Sequence, residues 1–186
     1  MVSVDQLCSL DGLIWLQSGS AVGALTLQHQ TTVSRNQRKC AKTLGVDVIK
    51  RDGFWQIEGD SQLLKLERVV HQTARLKLGQ GLRLEAAFNP ETVLPEGIEK
   101  GWIISRSRIQ EPHHLTQLLE QRVIEAWITS ERQISGIGDA IVRIPLLVEP
   151  NAVGVVVHRD LQQHPAIQEL VNSLLAQQQP LRLHEL

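Results

Sequence analysis

Residues 31–45, TTVSRNQRKCAKTLG, restrict the possible folds more than any other stretch of the chain. Val33, Gln37, Cys40, Ala41 and Leu44 recur at steps of three and four, so a helix gathers them on one mostly apolar face. Arg35, Arg38, Lys39 and Lys42 recur at similar steps on a different face, with no acid among them. Thr31 or Thr32 can cap this helix, and Gly45 follows its last leucine. The period then changes. Val46, Val48 and Ile49 are β-formers, Asp52-Gly53 is a strong two-residue hairpin turn, and Phe54, Trp55 and Ile57 resume the strand character. A helix packed on one side and cationic on the other, followed at once by a hairpin, is the pattern to be explained.

Upstream, Leu7, Leu10, Leu13 and Ile14 sit at helical spacing, with Gly19 as a C-terminal stop and Ser20 as the cap of a short second helix. Three short helices and a hairpin are the layout of a winged helix-turn-helix. Charge supports this. The chain has a formal net charge of -1, yet from 31 to 51 it carries Arg35, Arg38, Lys39, Lys42, Lys50 and Arg51 against Asp47 alone. A solvated helix face usually mixes signs; an unmixed one points to an anionic partner. The expected partner is double-stranded DNA. Aromatic residues make up 3% and tyrosine is absent, which disfavours RNA and single strands, where stacking platforms are expected.

Asp60 and Ser61 can cap a fourth helix, within which Leu63, Leu66, Val70, Thr73 and Lys77 follow alternating steps of three and four. This reads as a linker helix that joins copies of the chain into a homodimer or higher homo-oligomer, with Leu63, Leu66, Val70 and Thr73 in the seam. His71 beside it reads as a packing or hydrogen-bonding residue. Gly79-Gln80-Gly81 reads as a hinge. Beyond it, LRLEAAF, GWIISRS, VIEAWIT, AIVRIPLLVEP and AVGVVVH read as strands, and EPHHLTQLLEQR as a helix. The last helix gathers Ile167, Leu170, Val171, Leu174 and Leu175 on one face. Alternating strands and helices predict a small α/β sandwich on a largely parallel sheet. The expected fold is therefore α/β multidomain: a winged helix-turn-helix over 1–60, a linker and dimerisation helix over 61–79, and an α/β domain over 80–186.

These residues resemble the LysR-type transcriptional regulators. The resemblance rests on Gly19-Ser20, then Gln30-Thr31-Thr32-Val33-Ser34-Arg35, then Leu44-Gly45, with Arg51 at the wing. The long helix that follows, the LTQLLEQRVIEAWITS unit with Glu125-Ala126, and HRDLQQHPAIQELVNSLL are similar to later parts of the family. It implies a dimeric transcription regulator with its third helix in the major groove. Ser34, Arg35, Arg38 and Thr31 or Thr32 then face base edges, beside Gln30 at the start of the motif, while Lys39, Lys42, Lys50 and Arg51 hold phosphates. Three departures stand out. The stretch from Ser20 to Gln30 is about two residues shorter than usual, Thr31 replaces a common proline, and Lys39-Cys40-Ala41 replaces a Leu-Glu. About 105 residues follow Gly81, enough for one effector lobe rather than two, so the usual inducer cleft is expected to be absent or remodelled. The alternative is a protein-interaction module that has lost specific DNA binding and uses its α/β domain toward a protein partner.

Other chemistries find little support. Cys8 and Cys40 have no zinc spacing and read as free thiols. His113-His114, and His158 and His164 around Asp160, lack a third ligand at the right spacing for a metal. SGIGDA, residues 135–140, has two glycines but no lysine, and reads as a surface loop. Trp15, Trp55, Trp102 and Trp127 read as core or interface residues. No nucleophile arrangement is legible, so neither an enzyme, a cofactor nor a catalytic residue is expected. No run approaches the roughly 18 apolar residues of a membrane span, and the first ten residues lack the pattern of a signal peptide. The expected location is the cytoplasm, with no membrane partner.

Overall fold

The computed structural model describes residues 2–86, 94, 98–106, 108, 111–130, 138–146 and 153–178. It contains six α-helices and seven strands among those residues, in two compact units. One unit takes in Met1–Thr73 with Ser107–Ile109 and Gln121–Val123; the other takes in Ala74–Arg106, Gln110–Glu120 and Ile124–Leu186.

The first unit begins with α1 (Val4–Leu16), α2 (Gly19–Thr26) and α3 (Gln30–Leu44). Ser3 and Gln6 form a reciprocal capping box at the start of α1. Two expected helix boundaries move. Gln17, not Gly19, ends α1 in the left-handed conformation (φ 57°), and Ser18, not Ser20, caps α2 by accepting from Ala21 N. Likewise His29, rather than Thr31 or Thr32, caps α3, its side chain accepting from Thr31 N. Gly45 closes α3 as expected, at φ 70° with its N–H donating to Ala41 O.

Between α2 and α3 the chain turns in three residues, Leu27 to His29. Gln28 N donates to Gly23 O, and a Cβ at position 23 would lie 2.6 Å from Gln28 O, so only glycine fits there. Then β1 (Asp47–Arg51) and β2 (Phe54–Glu58) pair antiparallel around Asp52-Gly53, whose φ values of 52° and 87° are those the tightest hairpin turn demands. The core joins Leu7 and Leu10 of α1, Cys40, Ala41 and Leu44 of α3, Val46, and Leu64 of α4 (Gln62–Leu78). Asp60 Oδ1 accepts from Gln62 N at the start of α4. Along α4, Leu64, Arg68 and Gln72 are buried at steps of four.

The second unit is a five-stranded sheet in the order β4-β3-β5-β7-β6. The strands are β3 (Leu82–Ala86), β4 (Trp102–Ser105), β5 (Ala126–Thr129), β6 (Ile141–Pro145) and β7 (Gly154–His158). β3 pairs parallel with β4 and β5, whereas β7 pairs antiparallel with both β5 and β6. The expected largely parallel sheet is thus corrected to a mixed one in which β7 alone runs against the rest. The physical reason is length: the residues between Pro145 and Gly154 are fewer than the dozen or so that a helical crossover to a parallel neighbour takes.

Leu84, Ala126, Ile128, Val155 and Val157 form the apolar face of this sheet, covered by Ile167, Leu170, Val171 and Leu174 of α6 (Pro165–Gln178). Leu175, expected on the same face, is exposed. α5 (Pro112–Glu120) contributes Leu115, Leu118 and Leu119 to the interior, fully buried. Glu125, just before β5, is also fully buried. Its carboxylate accepts from Arg83 N and from the guanidinium of Arg75 in the last turns of α4, so the buried charge has partners. The SGIGDA expectation lies outside the described residues for positions 135–137.

Candidate nucleic-acid interface

The buried residues of α3 are Val33, Gln37, Cys40, Ala41 and Leu44, the five that periodicity singles out. Burying them against α1 turns the opposite face outward. Gln30, Thr31, Arg35, Arg38, Lys39 and Lys42 are exposed, and Thr32 and Ser34 are half-buried at its margin. Thr31, Ser34, Arg35, Arg38, Lys39 and Lys42 together line one shallow depression of about 460 Å³. Among the described residues no carboxylate pairs with Arg35, Arg38, Lys39 or Lys42. Four unpaired cations on one helix face make a surface that favours a polyanion.

The hairpin supplies the remaining candidates. Lys50 is exposed, and its ammonium lies 5.8 Å from the centroid of the Trp55 ring. This is a cation–π distance, and it holds the charge beside the strand without neutralising it. Arg51 differs from its neighbours: its Nη2 is 2.6 Å from Glu58 Oε1 across the hairpin, so part of its charge is already engaged. Between α3 and the hairpin runs a groove of about 500 Å³, lined by Arg38 and Lys42 on one wall and Val48 and Trp55 on the other. The structure therefore gathers all ten sequence-predicted residues in the first unit, eight on α3 and two on the hairpin.

The four seam residues lie on the outward face of α4. Leu63, Leu66 and Val70 are 60%, 59% and 62% exposed, and Thr73 is exposed with its hydroxyl donating to Val69 O. Val69, on the same part of α4, is exposed as well.

Sequence reasoning passed over two polar side chains that organise this region. Gln17 bonds to the backbone of Trp55, and Asn36 Nδ2 donates to Gln28 Oε1, linking α3 to the turn before it. Neither has a one-dimensional signal, because each partner is distant or in a turn. Trp55, read as a core or interface residue, is half-buried, with the Lys50 ammonium over its ring.

The Nδ1 atoms of His158 and His164 accept from Asp160 N and Ala166 N, as caps do. Burial pushes the His114 imidazole below its ordinary pKa of 6.5. Among the described residues no three His, Cys, Asp or Glu side chains are placed to hold a metal ion, and no helix is long and apolar enough to cross a membrane.

No protein-family model matches the sequence, and no curated protein matches it. Solved structures do. Full-length OxyR C199D from Pseudomonas aeruginosa is 16% identical, with a TM-score of 0.41, over 79% of this chain and 56% of that one. ArgP from Mycobacterium tuberculosis is 17% identical, with a TM-score of 0.37, over 78% and 53%. CrgA, a LysR-type transcriptional regulator from Neisseria meningitidis, is 12% identical, with a TM-score of 0.34, over 79% and 54%. The chain is thus similar to LysR-type transcriptional regulators over about 78% of its length, and it spans little more than half the length of the solved chains it resembles.

Proposed function

We propose that residues 1–60 are a winged helix-turn-helix that binds double-stranded DNA, that 61–79 are a linker helix pairing two copies, and that the protein is a dimeric transcription regulator. The observation that carries this is the exposed, unmixed cationic face of α3, formed by Arg35, Arg38, Lys39 and Lys42 beside a hairpin that adds Lys50. The three-residue turn between α2 and α3, with Gly23 under it, is the local geometry such a motif uses.

In this reading α3 enters the major groove. Thr31, Ser34, Arg35 and Arg38 face the base edges, with Gln30 and Thr32 at the entry. An arginine set against guanine contributes about 1–3 kcal/mol of discrimination. Lys39, Lys42, Lys50 and Arg51 hold phosphates, which orient the protein and make binding salt-sensitive. In this reading the α/β unit of 80–186 is an effector-like lobe.

Selection from random-sequence duplexes at about 150 mM salt, where loose electrostatic contacts are screened, tests the reading directly. Enrichment of an inverted repeat is the expected result. Recovery of no preferred sequence would reject it in favour of a protein-interaction module.

A further inference from the structure

In a hairpin closed by a two-residue turn, the pair flanking the turn exchanges ladder hydrogen bonds and the next pair does not. Here the flanking pair is Arg51 with Phe54, and the next is Lys50 with Trp55. The N–H and C=O of Trp55 therefore point outward from β2, away from β1. Left alone, they would form an unpaired strand edge.

One side chain meets both. Trp55 N donates to Gln17 Oε1 at 2.6 Å, and Gln17 Nε2 donates to Trp55 O at 3.1 Å. Gln17 Nε2 also donates to Ile14 O at 2.7 Å, which ties the same amide back to α1. With two carbonyls on its nitrogen and one N–H on its oxygen, the amide has a single consistent orientation. It acts as a one-residue third strand. The backbone of Gln17 is left-handed, at φ 57°, where glycine is the residue favoured by sterics. A glutamine there is explained by what its side chain does.

The effect reaches a charge. A pair that lacks ladder bonds brings its side chains closest together, and the Lys50 ammonium lies 5.8 Å from the centroid of the Trp55 ring. Gln17 fixes the Trp55 backbone, the Trp55 ring fixes Lys50, and Trp55 shares a groove with Arg38 and Lys42 of α3. We propose that Gln17 is a positioning residue for DNA binding: its amide clamps the wing to α1 and so sets Lys50 at the level of a phosphate beside α3. This rests on the DNA-binding reading above.

The test uses the full chain and the duplex recovered by selection. Gln17→Gly keeps the left-handed backbone and deletes the clamp. Gln17→Glu keeps an acceptor for Trp55 N–H but places a carboxylate oxygen against two carbonyls. Amide hydrogen exchange reads the clamp without DNA: Trp55 N–H should exchange at least about tenfold faster in Gln17→Gly, with the α3 amides unchanged. The slope of log K against log salt reads the phosphate contact. It should become shallower by about 0.9, the share of one phosphate, in Gln17→Gly, Gln17→Glu and Lys50→Ala alike. Combining Gln17→Gly with Lys50→Ala should change it no further. Unchanged exchange at Trp55, a wild-type slope in Gln17→Gly, or additive slope losses in the double variant would each overturn the proposal. If the wild-type chain binds no duplex, the DNA-binding reading fails and the positioning role with it, while the exchange result separately shows whether the clamp exists.

Discussion

Arg68 Nε lies 2.7 Å from Asp11 Oδ1, with the two side chains 2% and 1% exposed. The pair joins α4 to α1, and Arg68 Nη1 also donates to Gln121 Oε1. Removing one partner leaves a buried charge without its counter-charge, which costs about 3–5 kcal/mol, whereas replacing both with apolar groups is far milder. Asp11→Val alone should therefore lower the urea midpoint strongly, and Asp11→Val with Arg68→Met should recover much of the loss. A double variant as unstable as the two single losses added together would show that the pair does not act as a unit.

The outward face of α4 carries Leu63, Leu66 and Val70, each about three-fifths exposed. Charges placed there should leave the fold intact, because those side chains contact little within the chain. Leu66→Glu with Val70→Glu should keep the wild-type circular dichroism spectrum and change the mass measured by sedimentation from dimer to monomer. A dimer that survives both substitutions would move the interface elsewhere.

Arg35 and Lys42 sit on the same exposed face of α3, the first near its start and the second in its last turn. Arg35→Ala should lower affinity for the selected duplex by about 1–3 kcal/mol and leave random duplexes much less affected. Lys42→Ala should weaken all duplexes alike and make the salt dependence shallower by about 0.9. Competition binding across three salt concentrations checks both. Equal loss of specificity in the two variants would end this division of roles.

Cys40 is fully buried in the core of the first unit, and burial, then the nearby Asp11 carboxylate, push its thiol from 9.0 up to about 12. In the unfolded chain the thiol ionises near its ordinary value. The folded state therefore holds more protons above about pH 9, and stability must fall as pH rises from there toward about 12. Below pH 9 the contribution is complete. Cys40→Ala should flatten this alkaline decline in urea-denaturation curves. In the native protein at pH 8, a thiol reagent should label the half-buried Cys8 well before Cys40. Equal labelling rates would contradict the packing around Cys40.

Much of the first unit was legible in one dimension because its signals are local. The apolar positions of α3, the Gly45 stop, the Asp52-Gly53 turn and the cationic face each depend on residues within a few positions of one another. Helix period alone sorts Val33, Cys40 and Leu44 from Arg35, Arg38 and Lys42. Helix starts were less legible, since Ser18 and His29 compete with nearby residues equally able to cap, and the choice falls to the path of the incoming chain.

Tertiary structure alone decided the rest. Nothing near Gln17 in the sequence announces Trp55, 38 positions away, and nothing near Asp11 announces Arg68. The direction of β7 could not be read from an apolar run either, because a strand buried on both faces has the same composition whichever way it runs. The sequence by itself determined which side chains each helix turns inward, through a period set by backbone geometry. Only folding determined which polar groups meet, because a hydrogen bond or ion pair needs atoms within about 3 Å, and that proximity is created by the packing of elements far apart in the chain.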